Sequence, residues 1–105
     1  MAEEDDVYAI LQMIPLGYVT TYKAIGDLLG MHQRKVAKIL KKNKKPIIIP
    51  CHRVVMSNGK LGGYTPFGKN AKKLILLAEG VKVQGDRIDP RNIIKDLGKF
   101  LSEAF

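Results

Sequence analysis

Apolar residues recur at helical spacing along the first part of the chain. Val7, Ile10, Leu11 and Ile14 fall at i, i+3, i+4 and i+7, the stripe of an amphipathic helix. Glu3 to Asp6 precede that stripe and place negative charge where the helix macrodipole favours it, and Pro15 and Gly17 stop it. Tyr18-Val19-Thr20 reads as a short extended link, and Thr20 or Thr21 can cap the next helix. That second helix turns Tyr22, Ile25, Leu28 and Leu29 inward and ends at Gly30. A third runs from near His32 to Lys42. Val36, Ile39 and Leu40 form its apolar side, and Arg34, Lys35, Lys38, Lys41 and Lys42 cover the remainder. Two short helices joined at Gly30-Met31, the second basic, read as a helix-turn-helix over about 20–42.

The pattern then changes. Asn43-Lys44-Lys45-Pro46 is a loop leading into Ile47-Ile48-Ile49-Pro50-Cys51-His52-Arg53-Val54-Val55, a segment whose β-branched flanks are built for burial. Ser57-Asn58-Gly59 reads as a hairpin turn between Val54-Val55-Met56 and a short return, Lys60-Leu61, which predicts a wing. Gly62-Gly63-Tyr64-Thr65-Pro66 is a glycine-rich loop with the look of an exposed one. A fourth helix is expected from about Phe67 through Leu74, Ile75 and Leu77 to Glu79, with Gly80 just past its end. Val81-Lys82-Val83 is expected to be extended. Asp89-Pro90 is a helix start, and Ile93, Leu97, Phe100, Leu101 and Ala104 form the stripe of a last helix. The fold class expected is mainly α with a small β hairpin, a winged helix-turn-helix forming one domain over 1–105.

Size and composition narrow the classes. A chain of 105 residues can bury roughly two-thirds of its unfolded surface. No apolar run approaches the ~20 residues of a membrane span, and the N-terminus is acidic where a signal peptide would be basic. One cysteine excludes an internal disulfide, and two histidines are too few for a typical zinc site. The expectation is a reducing, intracellular setting (cytoplasmic, nuclear or nucleoid-associated), with no metal and no cofactor, and a monomer.

Charge adds a partner class. The net charge is +8, and no acidic residue lies between Asp27 and Glu79. Arg34, Lys35, Lys38, Lys41, Lys42, Lys44, Lys45, Arg53, Lys60, Lys69, Lys72 and Lys73 all fall in that interval. A one-signed central half points to a polyanion-binding face, nucleic acid above all, against an idle basic surface or an anionic membrane patch.

The candidate chemistry lies in Cys51 and His52. Thiolate is the nucleophile, so a reactive cysteine needs a base or a positive charge beside it, and His52 and Arg53 supply one of each. Neighbours on an extended strand point to opposite faces, so Cys51 and His52 cannot pair there directly. Pro50 favours a local turn. A bent backbone or a bridging water would then join thiol and imidazole. The plain alternative is a small buried hydrophobe beside a surface histidine.

Pro50-Cys51-His52-Arg53-Val54 resembles the active-site motif of the O6-alkylguanine-DNA alkyltransferases, and the resemblance runs in order over roughly 7–82. Gly17-Tyr18-Val19-Thr20-Thr21-Tyr22 is similar to the family's segment ending in an active-site tyrosine. Arg34 matches the arginine that takes the place of the extruded nucleotide. Asn43 matches the asparagine that braces the active-site turn. Gly62, Tyr64 and Thr65 match the loop over the alkylated base, where serine is more usual than Thr65. Lys72 to Gly80 match the helix bearing the glutamate, here Glu79. Two features depart from the family: an N-terminal domain often precedes this one, and the turn between the second and third helices is shortened.

The resemblance implies a DNA-repair activity. The alkyl group of O6-alkylguanine in double-stranded DNA would pass irreversibly to Cys51, once per molecule, after the nucleotide is flipped out from the minor groove. His52 would act as base, through water, Glu79 would hold the other imidazole proton, and Tyr22 would donate to the guanine ring. Arg34 would fill the gap, Lys35, Lys41, Lys44 and Lys45 would meet phosphates, and Ala37 would let the helix approach closely. Backbone amides near Val54 and Thr65 would bind the O6 region, with Met56, Gly62 and Tyr64 lining the base pocket. The alternatives are a non-catalytic winged-helix protein that senses lesions, like the alkyltransferase-like proteins that lack the cysteine, and a cysteine hydrolase using Cys51 and His52.

Overall fold

The computed structural model describes residues 3–64 and 66–104. Helix α1 spans Glu3–Met13, with its four acidic residues in the first turn and Val7 and Leu11 buried. Strand β1, Val19–Thr21, is buried throughout. Helix α2, Tyr22–Leu29, begins with the Thr21 side chain accepting from the Ala24 N–H and ends at Gly30 in the left-handed conformation, φ +70°. Of the two threonines, then, Thr21 is the cap. Thr20 instead donates its hydroxyl to the Ile94 carbonyl, at 2.7 Å.

Helix α3, Gln33–Lys41, packs on α2. The short turn between them depends on Gly26. The Met31 N–H donates to the Gly26 carbonyl at 2.9 Å, and a Cβ on Gly26 would stand only 2.4 Å from the Met31 carbonyl oxygen. Any side chain there would push the helix-turn-helix apart.

Three short strands form a parallel sheet in the order β2-β1-β5, with β2 at Val54–Val55 and β5 at Ile93–Ile94. Thr20 faces Val54, and Val19 faces Ile93. Helix α4, Lys69–Ala78, packs on the Cys51–Arg53 turn, and α5, Leu97–Ala104, packs back on α2. One apolar cluster joins Val7, Leu11, Ile14, Ile25, Val36 and Leu40 with Cys51 and Val54. A second joins Val19, Val55, Leu61, Leu76, Val81 and Ile88. No described helix is long and apolar enough to cross a membrane.

The chain is mainly α with small sheets, as the pattern implies, but three details differ. Asn58-Gly59 does turn the chain, with the Gly59 N–H on the Met56 carbonyl and the Met56 N–H on the Lys60 carbonyl, both 2.9 Å. Val54 and Val55, however, pair with β1 in the core, while Lys60 bridges Arg87. The antiparallel hairpin lies further on, between β3 at Val83–Gln84 and β4 at Arg87–Ile88. Asp89-Pro90 starts only a single 3-10 turn, Pro90–Asn92. Ile93 therefore belongs to a strand and not to the stripe of the last helix, because a parallel partner on β1 gives its backbone hydrogen bonds a better outlet. On α4, Leu76 is fully buried but Leu74 is 67% exposed.

Candidate active site and nucleic-acid face

Pro50 leads into one 3-10 turn, Cys51–Arg53, and that bend decides the chemistry. Cys51, buried in the first apolar cluster, also lines a cleft of about 130 Å³ with Tyr22, Ala37, Lys41, Gly63 and Tyr64. His52 is fully buried and points the other way, where its Nε2 lies 2.9 Å from Oε2 of Glu79 at the end of α4. Glu79 is held on two further sides. Arg53 Nε donates to Oε1 at 2.9 Å and Nη2 to Oε2 at 3.0 Å, while Nη1 donates to the Ile14 carbonyl at 2.7 Å.

The electrostatics set the protonation states. Burial pushes the Glu79 carboxyl up, but the hydrogen bonds from Arg53 and His52 outweigh it and hold the group below its ordinary value. Burial also pulls His52 down, helped by Arg53 and Lys72 and opposed by Glu79, so its net value lies below that of a free imidazole. A neutral imidazole beside an ionised carboxylate donates Nε2–H to it, which leaves the Nδ1 lone pair as the acceptor. Nδ1 is buried and has no hydrogen-bond partner in the protein. The site thus holds a base whose second nitrogen is oriented by a carboxylate, and the carboxylate is itself clamped by a guanidinium.

The other expected site residues divide between cleft and frame. Tyr22 lines the Cys51 cleft and also an adjoining cavity of about 370 Å³ with Gln33, Arg34, Ala37, Met56, Ser57 and Asn58. Burial and the neighbouring Cys51 raise its hydroxyl above the usual phenol value, which keeps it a donor. Tyr64 packs edge-on against His52 with ring centroids 6.3 Å apart, and burial pushes its hydroxyl up to about 12. Asn43 is buried in the frame. It donates Nδ2 to the Ile49 carbonyl and accepts from the Lys45 N–H, both at 2.9 Å, bracing the loop that enters the turn.

Arg34 and Met56 line the second cavity and not the thiol cleft. Lys44 and Lys45 are exposed on the loop, and Lys35 is tied to Glu3 of α1 at 2.7 Å by an exposed pair. Gly62 sits at φ +72° against Met56, and the loop's cleft wall is built instead from Gly63 and Tyr64. Thr65 lies outside the described residues.

Val54 does not fit its expected part. Its N–H closes the 3-10 turn on the Cys51 carbonyl, and its own carbonyl accepts from Lys72 at 2.7 Å. The N–H is therefore already committed, and it was the amide that was expected to meet the ligand.

Two cations that look like part of the basic surface are interior. Arg53 is one. Lys72 is the other: 1% exposed, with Nζ donating to the carbonyls of Val54 (2.7 Å), Leu61 (2.6 Å) and Gly63 (3.2 Å). It staples the active-site strand to the loop over the cleft, and burial lowers its amine to about 8. Nothing in the local pattern distinguishes either from its surface neighbours. Among the described residues, no group of histidine, cysteine and acidic side chains could hold a metal ion.

Comparison with known proteins places residues 2–81 in a family model described as 6-O-methylguanine DNA methyltransferase, DNA binding domain. A methylated-DNA–protein-cysteine methyltransferase of Pyrobaculum aerophilum is 50% identical over 74 residues, 70% of this chain and 49% of that protein. One of Candida albicans is 43% identical over 77 residues, 73% of this chain and 43% of that protein. The chain thus spans about half the length of these curated relatives. Mycobacterium tuberculosis OGT, solved in complex with DNA, matches with a TM-score of 0.71 at 35% identity, over 76% of this chain and 50% of its own. S. pombe Atl1, solved with damaged DNA containing O6-carboxymethylguanine, matches with a TM-score of 0.75 at 28% identity, over 88% of this chain and 94% of its own.

Proposed function

The chain belongs to the 6-O-methylguanine DNA methyltransferase family, DNA-binding domain, and from that premise we propose that it removes alkyl groups from O6-alkylguanine in double-stranded DNA by taking them onto Cys51. One observation above all supports this reading: Cys51 and Tyr22 line a single cleft beside the basic helix, and the next residue, His52, is buried behind it with its Nε2 held by Glu79.

The substrate carbon is out of reach inside a duplex, so the nucleotide leaves the stack and enters the cleft from the minor groove. Arg34, exposed at the start of α3, occupies the space it vacates. Ala37 lets the helix come close, and Lys41, Lys44 and Lys45 meet phosphates. Lys35 exchanges Glu3 for a phosphate at small cost, because an exposed pair contributes little. His52 accepts the Cys51 proton, through water, and Glu79 stabilises the imidazolium that forms.

The thiolate then attacks the alkyl carbon. The new sulfur–carbon bond forms as the carbon–O6 bond breaks, and the electron pair moves onto the guanine. The Tyr22 hydroxyl donates to a guanine ring nitrogen and eases departure of the anion. The thioether does not hydrolyse, so each molecule reacts once, with neither metal nor cofactor taking part. Residues 1–105 work as one monomeric domain in an intracellular compartment.

Intact-protein mass after mixing with an oligonucleotide containing O6-methylguanine tests the reading. One methyl per chain, mapped to Cys51, is expected, and Cys51→Ala should gain none while still binding the duplex. Tight binding without any gain by the unaltered chain would move the protein to the non-catalytic, lesion-sensing alternative. Repeated turnover on a reporter ester would instead mark a cysteine hydrolase.

A further inference from the structure

We propose that residues beyond the family match extend the DNA-binding face: a groove beside the wing, walled by Lys82, Arg87 and Lys95, binds backbone phosphates of the duplex flanking the lesion. The inference rests on the reading of duplex DNA as the partner and assigns it a second contact region, away from Cys51.

The wing is thicker than the sequence pattern implied. Lys60 bridges Arg87 antiparallel, the Ile88 N–H donates to the Gly59 carbonyl and the Leu61 N–H to the Asp86 carbonyl, both at 2.9 Å. The β3–β4 hairpin therefore runs on from the Asn58-Gly59 turn as one small antiparallel unit. Ile88, 3% exposed, anchors it in the second apolar cluster. The hairpin is a fixed wall, although the family match ends at residue 81.

Charge and shape say what this wall meets. It bounds a cavity of about 570 Å³ lined by Lys82, Arg87 and Lys95 with one carboxylate, Asp89. The acids of this region are already committed. Asp89 pairs with Arg91 and Asp86 with Lys69, each at 2.8 Å, and Asp96 accepts from the Lys99 N–H. Among the described residues, Lys82, Arg87 and Lys95 are exposed and enter no ion pair. Arg87 donates one guanidinium N–H to the Asn58 carbonyl at 3.0 Å, and its remaining donors stay free for a second acceptor.

Position makes the acceptor a DNA phosphate. Ser57 and Asn58 form a wall of this groove and equally of the cavity that holds Arg34 and Tyr22. The two concavities meet across the tip of the wing, so a duplex seated on α3 continues past that tip into the groove. Cations that neutralise phosphates release counterions, and each contact adds to the salt dependence of binding.

The test is duplex affinity over a series of salt concentrations, in a Cys51→Ala background that cannot react. Removing the three charges together (Lys82→Gln, Arg87→Gln, Lys95→Gln) should lower the slope of log affinity against log salt by roughly two to three. Lys82→Gln with Lys95→Gln, which spares the Arg87–Asn58 bond, should lower it by about two. The charge-keeping set Lys82→Arg, Arg87→Lys, Lys95→Arg should retain it. With Cys51 restored, the triple variant should still accept an alkyl group from free alkylguanine at the normal rate. An unchanged slope in both neutralised variants would overturn the groove as a DNA contact and leave the transferase reading intact, and that is also the result if a free phosphate compound is its occupant. Failure of the unsubstituted groove background to bind duplex DNA at all would overturn both.

Discussion

The basic helix α3 and the ground beneath the active-site turn use the same residue types for opposite ends. On α3, Arg34 and Lys38 stand in solvent and Lys35 holds only an exposed pair with Glu3, so each can turn to a phosphate at small cost. Under the turn, Lys72 has given up water almost entirely and Arg53 most of it, and a carboxylate and four carbonyl oxygens replace it. A buried cation is tolerated only when its donors are satisfied. The interior pair thus orders the machinery, and the exterior set offers affinity. The difference teaches that a count of lysines and arginines measures a field, not a face.

The comparison is broken most severely at Lys72. Lys72→Met fills the space but orphans the buried carbonyls that the ammonium now satisfies. Stability should fall by about 3 kcal/mol or more, at a cost of ~1–3 kcal/mol for each buried group left unpaired. Denaturant titration checks this, and a loss within experimental error would show that the staple is dispensable.

Arg53→Met should act next. A charge-assisted bond contributes about 1.5–3 kcal/mol, and the Arg53–Glu79 pair keeps some contact with solvent, so a loss of about 2 kcal/mol for the pair as a whole is expected with slower transfer. The pH profile separates the two effects. In the unaltered protein His52 is neutral down to a pH below the ordinary imidazole value of 6.5, so transfer should be flat near neutrality and fail only in more acidic solution. Between that lowered value and 6.5 the unfolded chain binds more protons than the folded one, so stability too is lost as pH falls. Arg53 helps hold His52 down. Removing it should therefore move the acid limb of the rate profile upward, and an unmoved limb would exclude Arg53 from tuning the base.

The exterior set should respond differently. Arg34→Ala should change stability by no more than about 0.5 kcal/mol, yet slow repair in duplex DNA about tenfold or more through lost binding and extrusion. Its reaction with free alkylguanine should be untouched, and equal loss on both substrates would sink the extrusion role. Lys35→Gln is the mildest. It breaks only an exposed pair with Glu3, worth roughly 0.2–1 kcal/mol, and a thermal shift beyond a few degrees would mean that the pair does more than that.

Much of the architecture was legible because local rules and tertiary packing agree. The stripe of α1, a threonine cap for α2, the Gly30 stop and the basic face of α3 each follow from spacing and side-chain chemistry. The residues of the relay could be named by resemblance, and the structure brings His52 and Glu79 into contact. What stayed hidden had no local signature. Val54-Val55 beside Asn58-Gly59 has the pattern of a hairpin, yet β1 offers those valines a fully buried parallel partner. Ile93 fits a helical stripe, yet the same strand claims its backbone. Gly26, silent in the pattern, sets the tightness of the turn.

The amino-acid sequence by itself determined the helices, the placement of a lone cysteine after a proline that bends the chain, and a central half of one charge sign. These are properties of neighbouring residues, and short-range sterics, hydrogen bonding and periodicity suffice to express them. Only the tertiary structure decided which cations leave the surface. Only it showed that Arg53 grips Glu79 across 26 positions of the chain, and that a hairpin past the family match completes the wing. Those outcomes depend on which distant carbonyls and carboxylates lie within reach once the core has closed, and the desolvation of a charge is settled by that assembly and not by its neighbours along the chain.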